Sequence, residues 1–134
     1  MACAETNNSA KILVVDDDPD IRTLLRLVLM SSGFRVVLAE DGDQALRRVA
    51  EDLPDLVLCD ILMPNLDGYE TLAALRSDPA SRNLPVLIIS ARGEAHAVKR
   101  ALDAGANGYF VKPFETRDLV AEIRRLLSAR TPAS

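Results

Sequence analysis

The sequence predicts an α/β domain in which one parallel β-sheet is covered by helices on both faces. Short apolar runs alternate with segments whose apolar residues recur at helical spacing, and five such strand–helix units can be counted. The connections between them are short, and crossovers between parallel strands are right-handed. We therefore predict a doubly wound, three-layer sandwich with five parallel strands in the flavodoxin-like order 2-1-3-4-5 and five helices.

The predicted strands are short and apolar, and the middle ones are apolar on both faces, as buried parallel strands are. They span residues 11–15, 34–39, 55–59, 85–90 and 108–111. The predicted helices fill the intervals at residues 19–32, 43–52, 68–77, 94–104 and 115–129.

The first helix has the clearest boundaries. Asp18 is a favourable N-cap, Pro19 suits the first helical position, and Gly33 provides a left-handed stop. Its predicted apolar stripe contains Ile21, Leu24, Leu25, Val28 and Leu29.

Two later helices also have recognisable features. Gly105 ends the fourth helix, and the fifth has an apolar stripe of Leu119, Ile123, Leu126 and Leu127. We expect residues 1–10 to form a flexible N-terminal tail, residues 11–129 to form the domain, and residues 130–134 to form a C-terminal tail.

Composition excludes several classes of protein. The chain has 134 residues, which leaves no room for a second folded domain, and 49% of them are hydrophobic, enough for a core. No apolar run approaches the roughly 18 residues of a membrane span, no signal peptide is visible, and the two cysteines form no disulfide framework. The net charge of −4 gives no general attraction to nucleic acid or anionic membrane. We expect a cytoplasmic domain.

Acidic residues follow two strands that neighbour each other in the predicted sheet. Asp16 and Asp17 follow the first strand and Asp60 follows the third, so their carboxylates should meet at one edge. Two such charges about 4 Å apart repel by about 4 kcal/mol at an effective dielectric near 20. The cluster therefore needs a proton or a cation, and hard oxygen ligands with open positions favour Mg²⁺.

A hydroxyl and an ammonium lie at the ends of the fourth and fifth strands. Ser90 ends the fourth strand and Lys112 follows the fifth. Together with a carboxylate held against Mg²⁺, these groups suit phosphoryl transfer to oxygen. Asp60 is the best candidate nucleophile because it stands alone after the central strand, whereas Asp16 and Asp17 are available to hold metal.

Five segments in order resemble the receiver domain of bacterial two-component response regulators, in particular single-domain receivers of the chemotaxis type. They are ILVVDDD at 12–18, DILMP at 60–64, LDG at 66–68, ISA at 89–91 and VKPF at 111–114. Each motif alone is weak, but the five occur in order at the expected strand ends, and the resemblance covers residues 11–128.

The resemblance implies that a histidine kinase or a histidine phosphotransfer protein phosphorylates Asp60. It also implies that Mg²⁺, for which Mn²⁺ can substitute, is bound by Asp17, Asp60 and the backbone carbonyl of Leu62. Asp16 would then act on the metal mainly through water.

The resemblance further implies a switch. Ser90 and Lys112 would contact the phosphoryl group, and the Lys112–Pro113 peptide would be cis. Tyr109 would turn inward, so that the face formed by the fourth helix, fifth strand and fifth helix changes its affinity for a downstream protein. From the sequence alone, Tyr109 is equally consistent with an ordinary half-buried strand residue.

Two positions influence the lifetime of the phosphate in such proteins, and here they hold Leu62 and Arg92. An apolar Leu62 cannot position an attacking water, and Arg92 can shield the phosphate. We therefore predict slow self-hydrolysis.

Other functions and other contexts stay open. A phosphatase similar to the haloacid dehalogenases would use Asp16 as nucleophile and Asp18 as general acid, but it would leave Asp60 unexplained. A flavodoxin-like cofactor binder would need a phosphate loop after the first strand, which is absent. We expect no chemistry beyond the chain's own phosphorylation and dephosphorylation. The chain is either a stand-alone receiver acting through another protein or the receiver portion of a longer regulator.

Overall fold

The computed structural model describes residues 9–63 and 65–130, with the side chains of the last helix described as far as residue 129. Its strands are β1 (Lys11–Val15), β2 (Arg35–Ala39), β3 (Leu56–Cys59), β4 (Val86–Ser90) and β5 (Gly108–Val111). Its helices are α1 (Pro19–Ser31), α2 (Gly42–Glu51), α3 (Gly68–Ser77), α4 (Ala95–Asp103) and α5 (Thr116–Arg130). Within these residues, no helix is long and apolar enough to cross a membrane.

All five strands are parallel and form one sheet in the order β2-β1-β3-β4-β5. The predicted strand order is therefore confirmed. The central strands β1, β3 and β4 are buried along their whole length, which explains why their sequences are apolar without alternation.

The sheet separates two apolar layers, because side chains alternate between its faces along each strand. On one face, Ile12 and Val14 of β1 pack with Leu25 and Leu29 of α1, and α5 contributes Ile123. On the other face, residues 13 and 15 of the same strand pack against α2, α3 and α4. Helices therefore cover both faces, as predicted for a doubly wound sandwich.

The first helix begins and ends where its sequence predicts. The Asp18 side chain accepts a hydrogen bond from the Asp20 N–H at 2.9 Å, and Gly33 has a left-handed φ of 96°. The predicted stripe is wrong at one position, since the Leu24 side chain is 43% exposed. Leu25 and Leu29 define the buried direction, and at 100° per residue Leu24 lies too far round the helix to reach the core.

The predicted tails are partly described. The carbonyls of Ser9 and Ala10 accept hydrogen bonds from the side chain and backbone of Arg35, so these two residues lie against β2. Arg130, predicted as the first residue of the C-terminal tail, is the last residue of α5. Residues 1–8 and 131–134 lie outside the described part of the chain.

Candidate phosphoryl-transfer site

The three predicted carboxylates meet at the carboxyl edge of the sheet. Val15 pairs with Cys59 in the register of β1 and β3. The residues that follow them, Asp16 and Asp60, therefore lie next to each other at the carboxyl ends of these strands. Asp16, Asp17 and Asp60 each offer an oxygen within 4.8 Å of the others. Asp16 and Asp60 are buried and Asp17 is exposed, so the cluster is open to solvent on the Asp17 side.

Lys112 lies between the two buried carboxylates. Its Nζ is 2.9 Å from Asp16 Oδ2 and 3.3 Å from Asp60 Oδ2. The β5 strand brings it there, because the Lys112 N–H donates to the Ser90 carbonyl at the end of β4. Burial alone would lower the pKa of Lys112, but its contacts with Asp16 and Asp60 outweigh burial and raise it. The Lys112–Pro113 peptide is cis, as the resemblance implies.

The surroundings of Asp60 favour its protonated form. Burial, and then the charge of Asp16, raise the pKa of Asp60 above its ordinary value of 3.8, although Lys112 and a hydrogen bond from the Ile61 N–H lower it. That hydrogen bond to Oδ1 is 2.7 Å long and orients the carboxylate. The adjacent Cys59 is buried, and burial raises the pKa of its thiol, so it remains a protonated core residue.

The residues at this edge fit Mg²⁺. The donor set consists of hard carboxylate oxygens, one of them on an exposed side chain, and these oxygens lie close enough together to share one ion. Leu62 follows two residues after Asp60, in the segment leading to α3, and its side chain is 56% exposed. The cluster of Asp16, Asp17 and Asp60 could hold the ion, and the ligand set of Asp17, Asp60 and the Leu62 carbonyl stays an expectation from the resemblance.

Hydrogen bonds from three protein groups hold Asp16 in place. Its Oδ1 accepts from the Asp18 N–H at 2.9 Å, and its Oδ2 accepts from Lys112. Its backbone carbonyl accepts from the Arg22 guanidinium at 2.6 Å. Arg22 was not predicted as part of the site, because its only signal in the sequence is its position one turn into α1. The Asp18 side chain caps α1, and it does not belong to the cluster of Asp16, Asp17 and Asp60.

Ser90 and Tyr109 meet at the backbone of Arg92. The fully buried Ser90 Oγ accepts from the Arg92 N–H at 3.0 Å, and the Tyr109 hydroxyl donates to the Arg92 carbonyl at 2.5 Å. Burial raises the pKa of the half-buried Tyr109, partly offset by its hydrogen bond with Ser90. The Arg92 side chain lies 3.4 Å from Glu94 in a partly exposed ion pair. The two predicted switch residues therefore hold one loop together.

Similarity to known proteins agrees with this geometry. The family model described as the response regulator receiver domain matches residues 12–124 of this chain. The response regulator MprA of Mycolicibacterium vanbaalenii is 45% identical over 122 residues, which cover 91% of this chain and 52% of that protein. MprA of Mycobacterium bovis is 44% identical over 124 residues, 92% of this chain and 53% of the relative. The chain thus spans about half the length of these curated relatives.

Solved structures show the same relationship. The receiver domain of the Francisella response regulator 1452 superposes with a TM-score of 0.86 at 30% identity, covering 91% of this chain and 99% of that one. The receiver domain of the sensor histidine kinase PA1611 from Pseudomonas aeruginosa, described with a magnesium ion in its active-site cleft, has a TM-score of 0.84 at 32% identity. It covers 90% of this chain and 98% of its own. The chain belongs to the response regulator receiver domain family.

Proposed function

We propose that this chain is the phospho-accepting receiver of a two-component or phosphorelay system, and that a histidine kinase or histidine phosphotransfer protein phosphorylates Asp60. The observation that carries the proposal is the convergence of Asp16, Asp17, Asp60 and Lys112 at one sheet edge. A site for carboxylate phosphorylation needs an oriented carboxylate and positive charge for the transferred oxygens, and this edge provides both.

The chemistry is an in-line displacement at phosphorus. A carboxylate oxygen of Asp60 forms the new P–O bond while the P–N bond to the donor imidazole breaks, and the electron pair returns to that nitrogen. Mg²⁺, or Mn²⁺ in its place, would neutralise charge on the phosphoryl oxygens. The Ile61 N–H orients Asp60 through Oδ1, and Lys112 is already within contact distance of Oδ2.

Phosphorylation would act on the rest of the domain through Ser90. An aspartyl phosphate adds negative charge and strong acceptor oxygens, which attract the Ser90 hydroxyl and the Lys112 ammonium. Because Ser90 and Tyr109 both hold Arg92, a movement of Ser90 changes the support of the segment before α4. The face of α4, β5 and α5 is the proposed binding surface for a downstream protein.

The phosphate should be long-lived. The Leu62 side chain is apolar and exposed, so it offers no group to orient an attacking water. Among the described residues, the Arg92 side chain pairs with Glu94 in a partly exposed ion pair that costs little to break, so this side chain is available to shield the phosphate. The half-life of the phosphorylated protein in Mg²⁺, followed by intact mass, tests this proposal, and a half-life of seconds would contradict it.

Intact mass spectrometry after incubation with Mg²⁺ and acetyl phosphate tests the proposed function. We expect a single phosphoryl adduct that is lost in Asp60→Asn and retained in Asp18→Asn, since Asp18 serves as a helix cap. The absence of any adduct would overturn the proposal. Rapid multiple turnover of a phosphate ester that depends on Asp16 would instead establish a phosphatase.

The cellular context follows from this role. We propose that the output is a contact with another protein, without direct binding of nucleic acid or insertion in a membrane. A cytoplasmic location stays a prediction. Because the curated relatives are about twice as long as the match, the output can be carried by another chain or by further sequence of a longer regulator.

A further inference from the structure

We infer that Gly42, in the first turn of α2, positions Asp60 through the N-terminus of α3. The inference rests on the proposed role of Asp60 as the phosphoryl acceptor. Two glycines allow three segments to pack closely together: the residues after β3, the start of α3 with the loop before it, and the start of α2. Gly42 is a positioning residue, because it acts on Asp60 through α3.

The first contact joins α3 to the acceptor. Gly68 is the first residue of α3, and its N–H donates to the Ile61 carbonyl at 2.9 Å. A Cβ at this position would overlap the Asp60 carbonyl oxygen and would lie 2.7 Å from Ile61 Cα. The backbone of α3 therefore lies directly on the backbone of Asp60, and the position of α3 affects the position of the acceptor.

The second contact joins α2 to α3. Gly42 is buried, and a Cβ there would overlap Thr71 Oγ1 and would lie 2.6 Å from the Leu66 carbonyl oxygen. Thr71 cannot move aside freely, since it is buried and its hydroxyl donates to the Asp67 carbonyl at 2.8 Å. A side chain at residue 42 would therefore displace the start of α3.

An independent contact holds the start of α2 to the segment before α3. Asn65, in the segment before α3, has a left-handed φ of 66°, and its Nδ2 donates to Asp41 Oδ2 at 3.2 Å. Asp41 is fixed in turn as the N-cap of α2, because its Oδ1 accepts from the Gln44 N–H at 2.8 Å. The start of α2 thus binds the segment between Asp60 and α3 as well as α3 itself.

Gly42→Ala tests the inference, with Gly108→Ala as the matched control. Gly108 opens β5 at the opposite end of the sheet, where a Cβ would lie 2.7 Å from the Leu87 Cδ2 atom. Both variants add one methyl group against packed atoms, but only residue 42 contacts the start of α3. We would measure Tm, the phosphorylation rate with acetyl phosphate at saturating Mg²⁺, and the amide shifts of Asp60 and Ile61.

We expect Gly42→Ala to slow phosphorylation about tenfold and to shift the two amides, since a misplacement of about 1 Å can cost roughly a hundredfold in rate and a smaller shift costs less. Gly108→Ala should lower Tm but keep the rate within about twofold of wild type. A wild-type rate in Gly42→Ala, or an equal loss in Gly108→Ala, would overturn the inference.

Two further outcomes test whether Gly42 positions Asp60. If Gly42→Ala does not fold, Asn65→Gly keeps the left-handed φ and removes only the contact with Asp41. We expect it to slow phosphorylation about threefold and to shift the Asp60 and Ile61 amides, and wild-type values for both would overturn the inference. If the wild-type chain accepts no phosphate, the proposed function fails, and the amide shifts without phosphodonor still decide whether Gly42 positions Asp60.

Discussion

At Asp60, burial and the charge of Asp16 act in the same direction. Both favour the protonated carboxyl and raise its pKa above 3.8, so the folded state binds this proton more tightly than the unfolded chain. Stability from this group is therefore greatest below the unfolded pKa and declines as pH rises through the folded pKa. At neutral pH without metal, the ionised Asp60 destabilises the fold.

Asp60→Asn should accordingly stabilise the metal-free protein. In EDTA at pH 7 we expect Tm to rise by roughly 4 °C for about 1 kcal/mol, because a buried negative charge next to Asp16 is removed. The decline of stability above pH 4 should also become shallower. Thermal unfolding followed by circular dichroism between pH 4 and pH 8 measures both effects, and a lower Tm for the variant would show that Lys112 already compensates Asp60.

Asp17 offers the complementary change, because its side chain is exposed and belongs to the acidic cluster. We expect Asp17→Asn to leave the Tm in EDTA unchanged and to weaken Mg²⁺ binding at least tenfold. Wild type should gain about 2.7 kcal/mol of stability when Mg²⁺ exceeds its Kd a hundredfold. Calorimetric titration with MgCl₂ compares the two proteins, with Asp52→Asn as a charge-matched control, because Asp52 follows α2 and pairs with Lys11 at the start of β1. Equal affinities would exclude Asp17 from the site.

Among the elements, α3 is connected through the Arg76 side chain to the segments that precede β4 and β5. The Arg76 guanidinium donates to the carbonyls of Leu84 at 2.7 Å and Gly105 at 2.8 Å, and to Asn107 Oδ1 at 3.0 Å. These acceptors are neutral, and burial lowers the pKa of Arg76. Arg76 thereby joins the end of α3 to the segments that precede β4 and β5.

Arg76→Ala should destabilise the fold by about 2–4 kcal/mol, because several carbonyl groups lose a charged donor in a partly buried place. Arg76→Lys should recover only part of this, since an ammonium cannot reach the same acceptors as a planar fork. Urea unfolding measures the free energy of unfolding, with Arg82→Ala at an exposed position as control. A loss under 1 kcal/mol for Arg76→Ala would show that water replaces these hydrogen bonds.

The start of α4 is attached to the domain more weakly than α3 is. Glu94 makes no side-chain capping hydrogen bond, and only Ala97 and Ala101 of the helix are buried. The Tyr69 hydroxyl donates to the Ala97 carbonyl at 3.3 Å, and Arg100 stacks over the Tyr69 ring at 3.8 Å. Loss of support at Arg92 would therefore affect the first turn of α4 before other elements.

For the whole molecule, the weak attachment of the first turn of α4 predicts which residues respond to phosphorylation. We expect phosphorylation to change amide hydrogen exchange mainly in residues 91–112, which link Ser90 to Lys112, and to leave β2 and the start of β1 unchanged. Hydrogen-exchange mass spectrometry with and without acetyl phosphate tests this, with Asp60→Asn as the unresponsive control. A uniform change over the chain would argue against a local path through Ser90.

Much of this molecule was predictable because its patterns are local. Buried parallel strands are apolar on both faces, so β1, β3 and β4 were identified to within one residue. Parallel strands also end at a common edge, so the acidic residues after β1 and β3 had to meet. Strand order and the composition of the site therefore follow from the sequence and from general rules of sheet topology.

Other contacts join distant segments and depend on the packed structure. Lys112 bridges Asp16 and Asp60, whereas its sequence position indicated only a contact with phosphate. The bonds of Ser90 and Tyr109 to the Arg92 backbone likewise follow from side-chain orientation, which no periodicity encodes.

The sequence by itself determined the strand–helix alternation, the sheet edge that holds the site and the identity of its acidic groups. Only the tertiary structure decided the partner of each charged group and the stacking of Gly42 and Gly68 behind Asp60. The physical reason is the range of the interactions. Apolar periodicity and capping act within a few residues, whereas ion pairs and close backbone contacts depend on how separate elements pack together.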